Sequence, residues 1–177
     1  FDVEMTTQSY QHSMLSLSLK NSHLIEIFNE MRSTLLTRLK GDRGRRDTRR
    51  SLQYYFVAQD IHEHAEASHF DYLKLTKIFE HSDIMFRFQR IFALQAKACK
   101  DLSNSILHAN VYHHNISFQQ TFENLRISLE KLRAQQQYDL VWINALSSLH
   151  QNLKSIDAQL YNIDTEQHIK PDQDKFF

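Results

Sequence analysis

The histidines between positions 62 and 69 are the residues of this chain best suited, by type and spacing, to bind a metal ion. His62, Glu66 and His69 are separated by four and three residues, which places them on one face of a helix. The zinc-protease motif has two histidines four apart with glutamate beside the first, and His62, Glu63 and His64 do not match it. No cysteine or aspartate cluster supplies further ligands. We therefore expect no metal site and interpret these side chains as polar residues at a helix contact.

A run of basic residues lies between positions 38 and 50, although the whole chain has a formal net charge of zero. Arginine binds phosphate and carboxylate groups through paired hydrogen bonds, and basic clusters next to a membrane recognise anionic lipid head groups. Two interpretations stay open: a solvent-exposed loop without a partner, or a site for lipid head groups or another small anion. Nucleic acid is not expected as a partner, since the basic charge is local and no nucleic-acid motif accompanies it. The candidate anion-binding residues are Arg43, Arg45, Arg46, Arg49 and Arg50.

A second polar set comprises Asp60, Arg87 and Arg90. We interpret it as an interhelix ion-pair network that fixes helix register, in preference to a catalytic group. Cys99 is the single cysteine, so no disulfide can form within the chain, and we expect it to be a small core residue. The sequence has no paired carboxylates, nucleophile motif or phosphate-binding loop. It therefore predicts a protein that is not an enzyme and that needs no cofactor.

The elements that must position these residues are predicted to be helices. The 177 residues include only 2 glycines and 1 proline, which disfavours folds rich in tight turns. Apolar residues recur at alternating intervals of three and four, the pattern of helices with one buried face. We expect an all-α fold: a single domain over residues 1–177, formed by an elongated antiparallel bundle of about five to six helices, some of them long.

The apolar stripes place the individual helices. The first is predicted over residues 6–39, with glycines 41 and 44 at its end. A break at Asn21–Ser22, which would divide it into two helices, is the alternative. Its stripe consists of Met14, Leu17, Leu24, Phe28, Met31 and Leu35. The other helices are predicted over residues 47–68, 72–80, 84–107, 118–133 and 138–167.

Three segments carry a resemblance to a known family. They read RGRRDTRRSLQYYFVAQDIHEHAEASHFDY, HSDIMFRFQRIFALQAKAC and SIDAQL. These blocks resemble the soluble region of the YccS/YhfK group of bacterial inner-membrane proteins, within the superfamily that is similar to fusaric acid resistance proteins and aromatic acid exporters. The family pattern often has arginine after the DIHE segment, where this chain has His64. Any role for a positive charge at that position is not carried over.

The resemblance implies a soluble helical region between two sets of transmembrane helices. The protein would be a transporter that exports small organic or aromatic anions, and this region would support assembly or gating. Its partners would be the membrane halves of its own full-length chain, with anionic lipid or a small organic anion as further candidates. The family brings no catalytic residues.

The resemblance and the residues together suggest a location. The basic run and the free cysteine fit the cytoplasmic side of a bacterial inner membrane, and the periplasmic side is the alternative. Two other functions stay open. The apolar stripes could make the chain a stand-alone interaction or dimerisation module, and His62, Glu66 and His69 could make it a metal or ligand sensor.

Overall fold

The computed structural model describes residues 7–42, 46–115 and 117–169, and in these ranges every regular element is an α-helix. The all-α prediction is confirmed. The chain forms two compact units, Phe1–Gln59 and Asp60–Phe177. We call these the first unit and the second unit. The helices are α1 (Thr7–Asp42), α2 (Arg46–Glu66), α3 (Tyr72–Ile78), α4 (Ile84–Leu107), α5 (Ser117–Gln135) and α6 (Leu140–Ile169).

The first unit contains α1 and most of α2. Helix α1 is continuous through Ser22, whose hydroxyl donates to the carbonyl oxygen of Ser18 at 3.1 Å and so stays within the helix. The helix passes Gly41 and ends at Asp42, one turn or less beyond the predicted end. Gly44, the other predicted end signal, lies outside the described residues.

Packing in the first unit is sparse. Leu35 and Tyr55 are buried, and the Phe28 ring meets the Tyr55 ring edge-on with centroids 5.9 Å apart. The predicted stripe of α1 is therefore covered only in part, and its N-terminal half faces solvent. The exposed large apolar side chains of α1 are Met14, Leu15, Leu17, Leu19, Ile25, Ile27, Met31 and Leu36.

The second unit has the dense core. Helices α4, α5 and α6 pack on one another, and each buries one stripe of apolar side chains, as an amphipathic helix must. The predicted stripes are buried with few exceptions, such as Ile106 at the end of α4. The buried apolar residues of α5 are Phe118, Phe122, Leu125, Leu129 and Leu132. Those of α6 are Ile143, Leu146, Leu149, Leu153, Ile156, Leu160 and Ile163.

Two side-chain hydrogen bonds tie the second unit together over long stretches of sequence. The buried Gln95 amide of α4 donates to the carbonyl oxygen of Leu153 on α6 at 2.6 Å. The Asn152 amide of α6 donates to the carbonyl oxygen of Ala67, just after α2, at 3.0 Å. Because a buried polar group is costly without a partner, the bond of Gln95 favours a single register between α4 and α6.

The ends of α4 and α5 are formed without glycine. Ala109 follows α4 with φ 54°, and Gln136 follows α5 with φ 53°. Both lie in the left-handed region that favours glycine. The short α5–α6 connection makes these two helices antiparallel, and Arg133 near the end of α5 donates to Asn144 near the start of α6 at 3.2 Å.

Candidate functional site

A groove between α5 and α6 forms a cavity of about 370 Å³ in the second unit. Side chains three, four and seven positions apart line each wall, because that spacing repeats on one helix face. His114 and Asn115 from the α4–α5 linker complete the lining. The volume falls in the ~300–1,000 Å³ range of small-molecule sites. The wall residues are Gln119, Phe122, Glu123 and Arg126 on α5, and His150, Lys154, Asp157, Ala158 and Tyr161 on α6.

His114 attaches the linker to α6. Its side chain is 5% exposed, and Nε2 lies 2.9 Å from the Asp157 carboxylate. Its Nδ1 lies 3.0 Å from the Tyr112 hydroxyl, and its ring packs on Phe118 with centroids 4.9 Å apart. Both imidazole nitrogens therefore have partners.

His150 is the opposite case. It is buried, yet within the described part of the chain its Nε2 has no hydrogen-bond partner. Burial lowers the pKa of His150 below its ordinary value of 6.5, and the positive charge of Lys154 lowers it further. The backbone of Phe122 raises this pKa, Arg126 lowers it and Glu123 raises it, each less strongly than Lys154. The uncharged imidazole is therefore the favoured form at neutral pH.

Arg126 forms the charged rim of the groove. Its Nε and Nη2 donate to the two carboxylate oxygens of Glu123 at 2.9 and 2.6 Å, and its Nη1 donates to Glu130. The hydrogen bond from Arg126 lowers the pKa of Glu123, and the same contact raises the pKa of Arg126. Glu123 is thus held as a carboxylate that is already satisfied.

The five candidate anion-binding arginines, at positions 43, 45, 46, 49 and 50, are called the arginine patch. Arg43 and Arg45 lie outside the described residues, as does the side chain of Arg46. Arg49 and Arg50 are exposed on α2. Arg50 donates to the Tyr54 hydroxyl at 3.0 Å and its guanidinium lies 5.6 Å from the centre of that ring. Anion or lipid binding by these arginines stays a prediction.

The weak metal candidates lie close together around Glu66. Its carboxylate is 3.9 Å from His62 Nε2 and 3.8 Å from His69 Nδ1. These distances are those of loose polar contacts. Across the described ranges, no group of three or more histidine, cysteine, aspartate or glutamate side chains is arranged to hold a metal ion.

The predicted interhelix network of Asp60, Arg87 and Arg90 differs from the observed contacts. Arg87 pairs with Asp83, one turn earlier in sequence, at 2.7 Å, and this contact lowers the pKa of Asp83. Such a pair forms between neighbours on one helix face, without bringing distant segments together. Asp60 and Arg90 are exposed.

Cys99 lies on α4 and is only partly exposed. Burial raises the pKa of its thiol, which keeps it protonated and disfavours reactivity. The sequence predicts a small core residue here, and Cys99 lies at the edge of the core beside the buried Ala98.

Sequence reasoning missed the groove. His150, Lys154, Asp157 and Tyr161 follow each other at intervals of four, three and four on α6, a polar stripe visible in the sequence. The sequence does not predict which residue contacts this stripe, because His114 and Asp157 are 43 positions apart in the chain.

Comparisons with known proteins give the class. A model of the FUSC-like family, described as "FUSC-like inner membrane protein yccS", matches residues 1–160. The chain therefore belongs to the FUSC-like family. It is 45% identical over 168 residues to "Inner membrane protein YccS" of Escherichia coli strain K12, covering 94% of this chain and 23% of that relative.

A second relative comes from Haemophilus influenzae, where the protein carries the name "Uncharacterized protein". It is 36% identical over 146 residues, covering 82% of this chain and 20% of that relative. The chain thus spans about a quarter or less of the length of these relatives. No solved structure matches. Over the described residues, no helix has the combination of length and apolar character that crossing a membrane requires.

Proposed function

We propose that this chain is a helical extramembrane domain of an inner-membrane transport protein, with a structural, assembly or gating role. The observation that carries the proposal is the family match over residues 1–160, together with the 45% identity to a protein named for the inner membrane. The described helices supply a packed core and no membrane span. In this proposal the rest of the longer protein supplies the membrane halves, which are the partners of this domain.

The transported compounds in this proposal are small organic or aromatic anions. The test compares cells that carry the full-length protein with cells whose protein lacks residues 7–169, both preloaded with labelled benzoate. If the domain is needed for assembly or gating, cells with the deletion lose efflux of benzoate. Unchanged efflux in the deletion strain would overturn the gating role, and absence of efflux from the strain with the full-length protein would overturn the substrate class. Membrane fractionation shows whether the truncated protein still assembles.

The domain faces the cytoplasm in this proposal. Exposed Arg49 and Arg50 suit the side where anionic lipid is concentrated. Fusions of green fluorescent protein and alkaline phosphatase to the α5–α6 turn of the full-length protein test the side, since the phosphatase needs an oxidising compartment. Fluorescence without phosphatase activity supports the cytoplasm, and the reverse result supports the periplasm.

The arginine patch is proposed to contact anionic head groups. Flotation with vesicles of phosphatidylglycerol and phosphatidylcholine measures the binding directly. The Arg49→Glu/Arg50→Glu variant is expected to lose it, and the matched control Lys100→Glu/Lys131→Glu, on exposed sites of α4 and α5, is expected to retain it. Absence of binding by the unmodified chain would leave the patch as a solvated connection.

A second function, an interaction or dimerisation module, is favoured by the exposed apolar side chains of α1. Leu15 and Leu19 are 60% and 65% exposed. Exposed apolar patches of this kind commonly mark contacts with partners. Light scattering over a range of concentrations tests self-association. A dimer that is lost in Leu15→Gln/Leu19→Gln and kept in Leu140→Gln/Val141→Gln supports this function, and a monomer throughout contradicts it.

A further inference from the structure

The charges that line the α5–α6 groove are unequally satisfied. Glu123 has both carboxylate oxygens bound by Arg126, and Asp157 is bound by His114 at 2.9 Å. The carboxylates of the groove therefore have partners inside it.

The basic side chains on the α6 wall of the groove are Lys154 and His150. Within the described part of the chain, Lys154 forms no ion pair, and its ammonium group is exposed at the groove. One turn earlier on α6, His150 is 6% exposed and its Nε2 has no hydrogen-bond partner. A buried polar atom without a partner costs free energy, so a ligand that supplies the partner recovers that cost.

The charged neighbours of His150 also disfavour a positive charge on its ring. The positive charges of Lys154 and Arg126 both oppose protonation of the ring. The negative charge of Glu123 favours protonation, and its effect is weaker than that of either cation. The two cations therefore outweigh Glu123 in their effect on the pKa of the ring. Arg126 also retains N–H groups beyond the three engaged with Glu123 and Glu130.

We propose that this groove binds a small oxyanion, a phosphate or carboxylate group, between the Lys154 ammonium and the His150 imidazole. An anion here accepts a hydrogen bond from His150, pairs with Lys154 and reaches the free N–H groups of Arg126. The Lys154 and Arg126 side chains are exposed and can rearrange around an entering anion. Phe122 and Ala158 supply apolar surface for the body of an organic anion. The site is separate from the arginine patch and does not depend on the transport proposal.

Binding is coupled to a proton. The empty groove disfavours the charged imidazole, so the pKa of His150 lies below 6.5. An anion next to the ring favours the charged form and raises that pKa. Binding therefore takes up a proton, and it becomes weaker as the pH rises from the pKa of the empty site to the higher pKa of the occupied site.

The test is a nuclear magnetic resonance titration of the 177-residue chain with sodium phosphate, sodium acetate and sodium benzoate, each against sodium chloride at equal ionic strength. Saturable shifts at His150 and at α5 and α6 backbone groups around the groove are expected for at least one anion. The anion that binds shows whether the groove prefers a phosphate or a carboxylate group. Ring signals of His150, followed against pH with and without that anion, report the proton uptake.

Lys154→Met is the main variant, because the residue is exposed and the change keeps the fold. It is expected to weaken binding about tenfold or more, the factor equivalent to ~1.4 kcal/mol. Lys100→Met, an exposed lysine of α4 outside the groove, is the matched control and leaves binding unchanged. His150→Gln is expected to weaken binding and to remove the proton uptake.

Three results would overturn the proposal. The first is the absence of saturable shifts in the groove for all three anions. The second is equal binding by Lys154→Met and the unmodified chain. The third is binding that disappears in Arg49→Glu/Arg50→Glu and survives Lys154→Met, which assigns the anion to the arginine patch instead.

Discussion

The two units of this chain use apolar residues in different ways. Among the described residues, most of the buried apolar side chains belong to the second unit, whereas the first unit contributes Leu35 and Tyr55. The first unit instead exposes a series of leucines, isoleucines and methionines along α1. Similar helical periodicity thus produces a core in one unit and a surface in the other. An apolar stripe therefore predicts a buried face only where a second helix covers it.

The largest expected difference between the units is in the cost of removing a leucine. Leu146→Ala on α6 removes a side chain that is 0% exposed and should lower the free energy of unfolding by ~2–5 kcal/mol. Leu17→Ala on α1, where the leucine is 44% exposed, should change it by less than ~0.5 kcal/mol. Urea denaturation followed by circular dichroism measures both. Equal losses would mean that the α1 surface is covered in solution.

The next effect compares a buried side-chain contact with an exposed ion pair. Asp157→Asn removes the charged partner of the buried His114 and is expected to cost ~1–3 kcal/mol. Asp101→Asn breaks the exposed pair with Lys97 and is expected to cost ~0–1 kcal/mol. The same denaturation experiment compares them. A cost for Asp157→Asn no larger than that for Asp101→Asn would show that the linker is not held by His114.

A smaller effect probes the packing of the first unit. The edge-to-face contact between Phe28 and Tyr55 is expected to contribute a coupling energy of ~0.5–1.5 kcal/mol. A double-mutant cycle with Phe28→Leu and Tyr55→Leu measures it. A coupling energy of zero would mean that α1 and α2 are stabilised by other contacts, and would widen the contrast with the second unit.

The smallest effect is a dependence on pH. Because the folded chain lowers the pKa of His150 below 6.5, the stability associated with the neutral ring is present above pH 6.5 and is lost as the pH falls through the folded-state pKa. His150→Leu should flatten this part of the stability curve relative to the unmodified chain. His81→Gln, on a side chain that is 87% exposed, is the control and should leave the curve unchanged. An unchanged slope in His150→Leu would contradict the lowered pKa.

Much of the fold could be predicted from the sequence because its determinants are local. The stripes of α4, α5 and α6 are set by residues three and four apart, and their predicted members are mostly buried. The scarcity of glycine and proline correctly excluded other fold classes. In the first unit, Met14 and Leu17 belong to an equally regular stripe and are exposed, since periodicity does not say what covers a face.

The groove could not be predicted, because its chemistry depends on distant pairings. His114 meets Asp157 across 43 positions, and the isolation of His150 arises only once Phe122, Lys154 and Arg126 surround it. The arginine patch was conspicuous in the sequence through its charge alone. Charge density along the chain and unsatisfied polar groups in space are different signals, and only the second requires the tertiary structure.

The two left-handed turns at Ala109 and Gln136 have a practical consequence for anyone who wants to adjust this protein. A residue with a Cβ atom in that conformation is strained by ~1 kcal/mol relative to glycine. Replacing either residue by glycine is therefore expected to raise the stability of the chain, and both positions lie outside the core and the groove. Glycine at these positions would provide tolerance for the destabilising substitutions that a study of the groove requires.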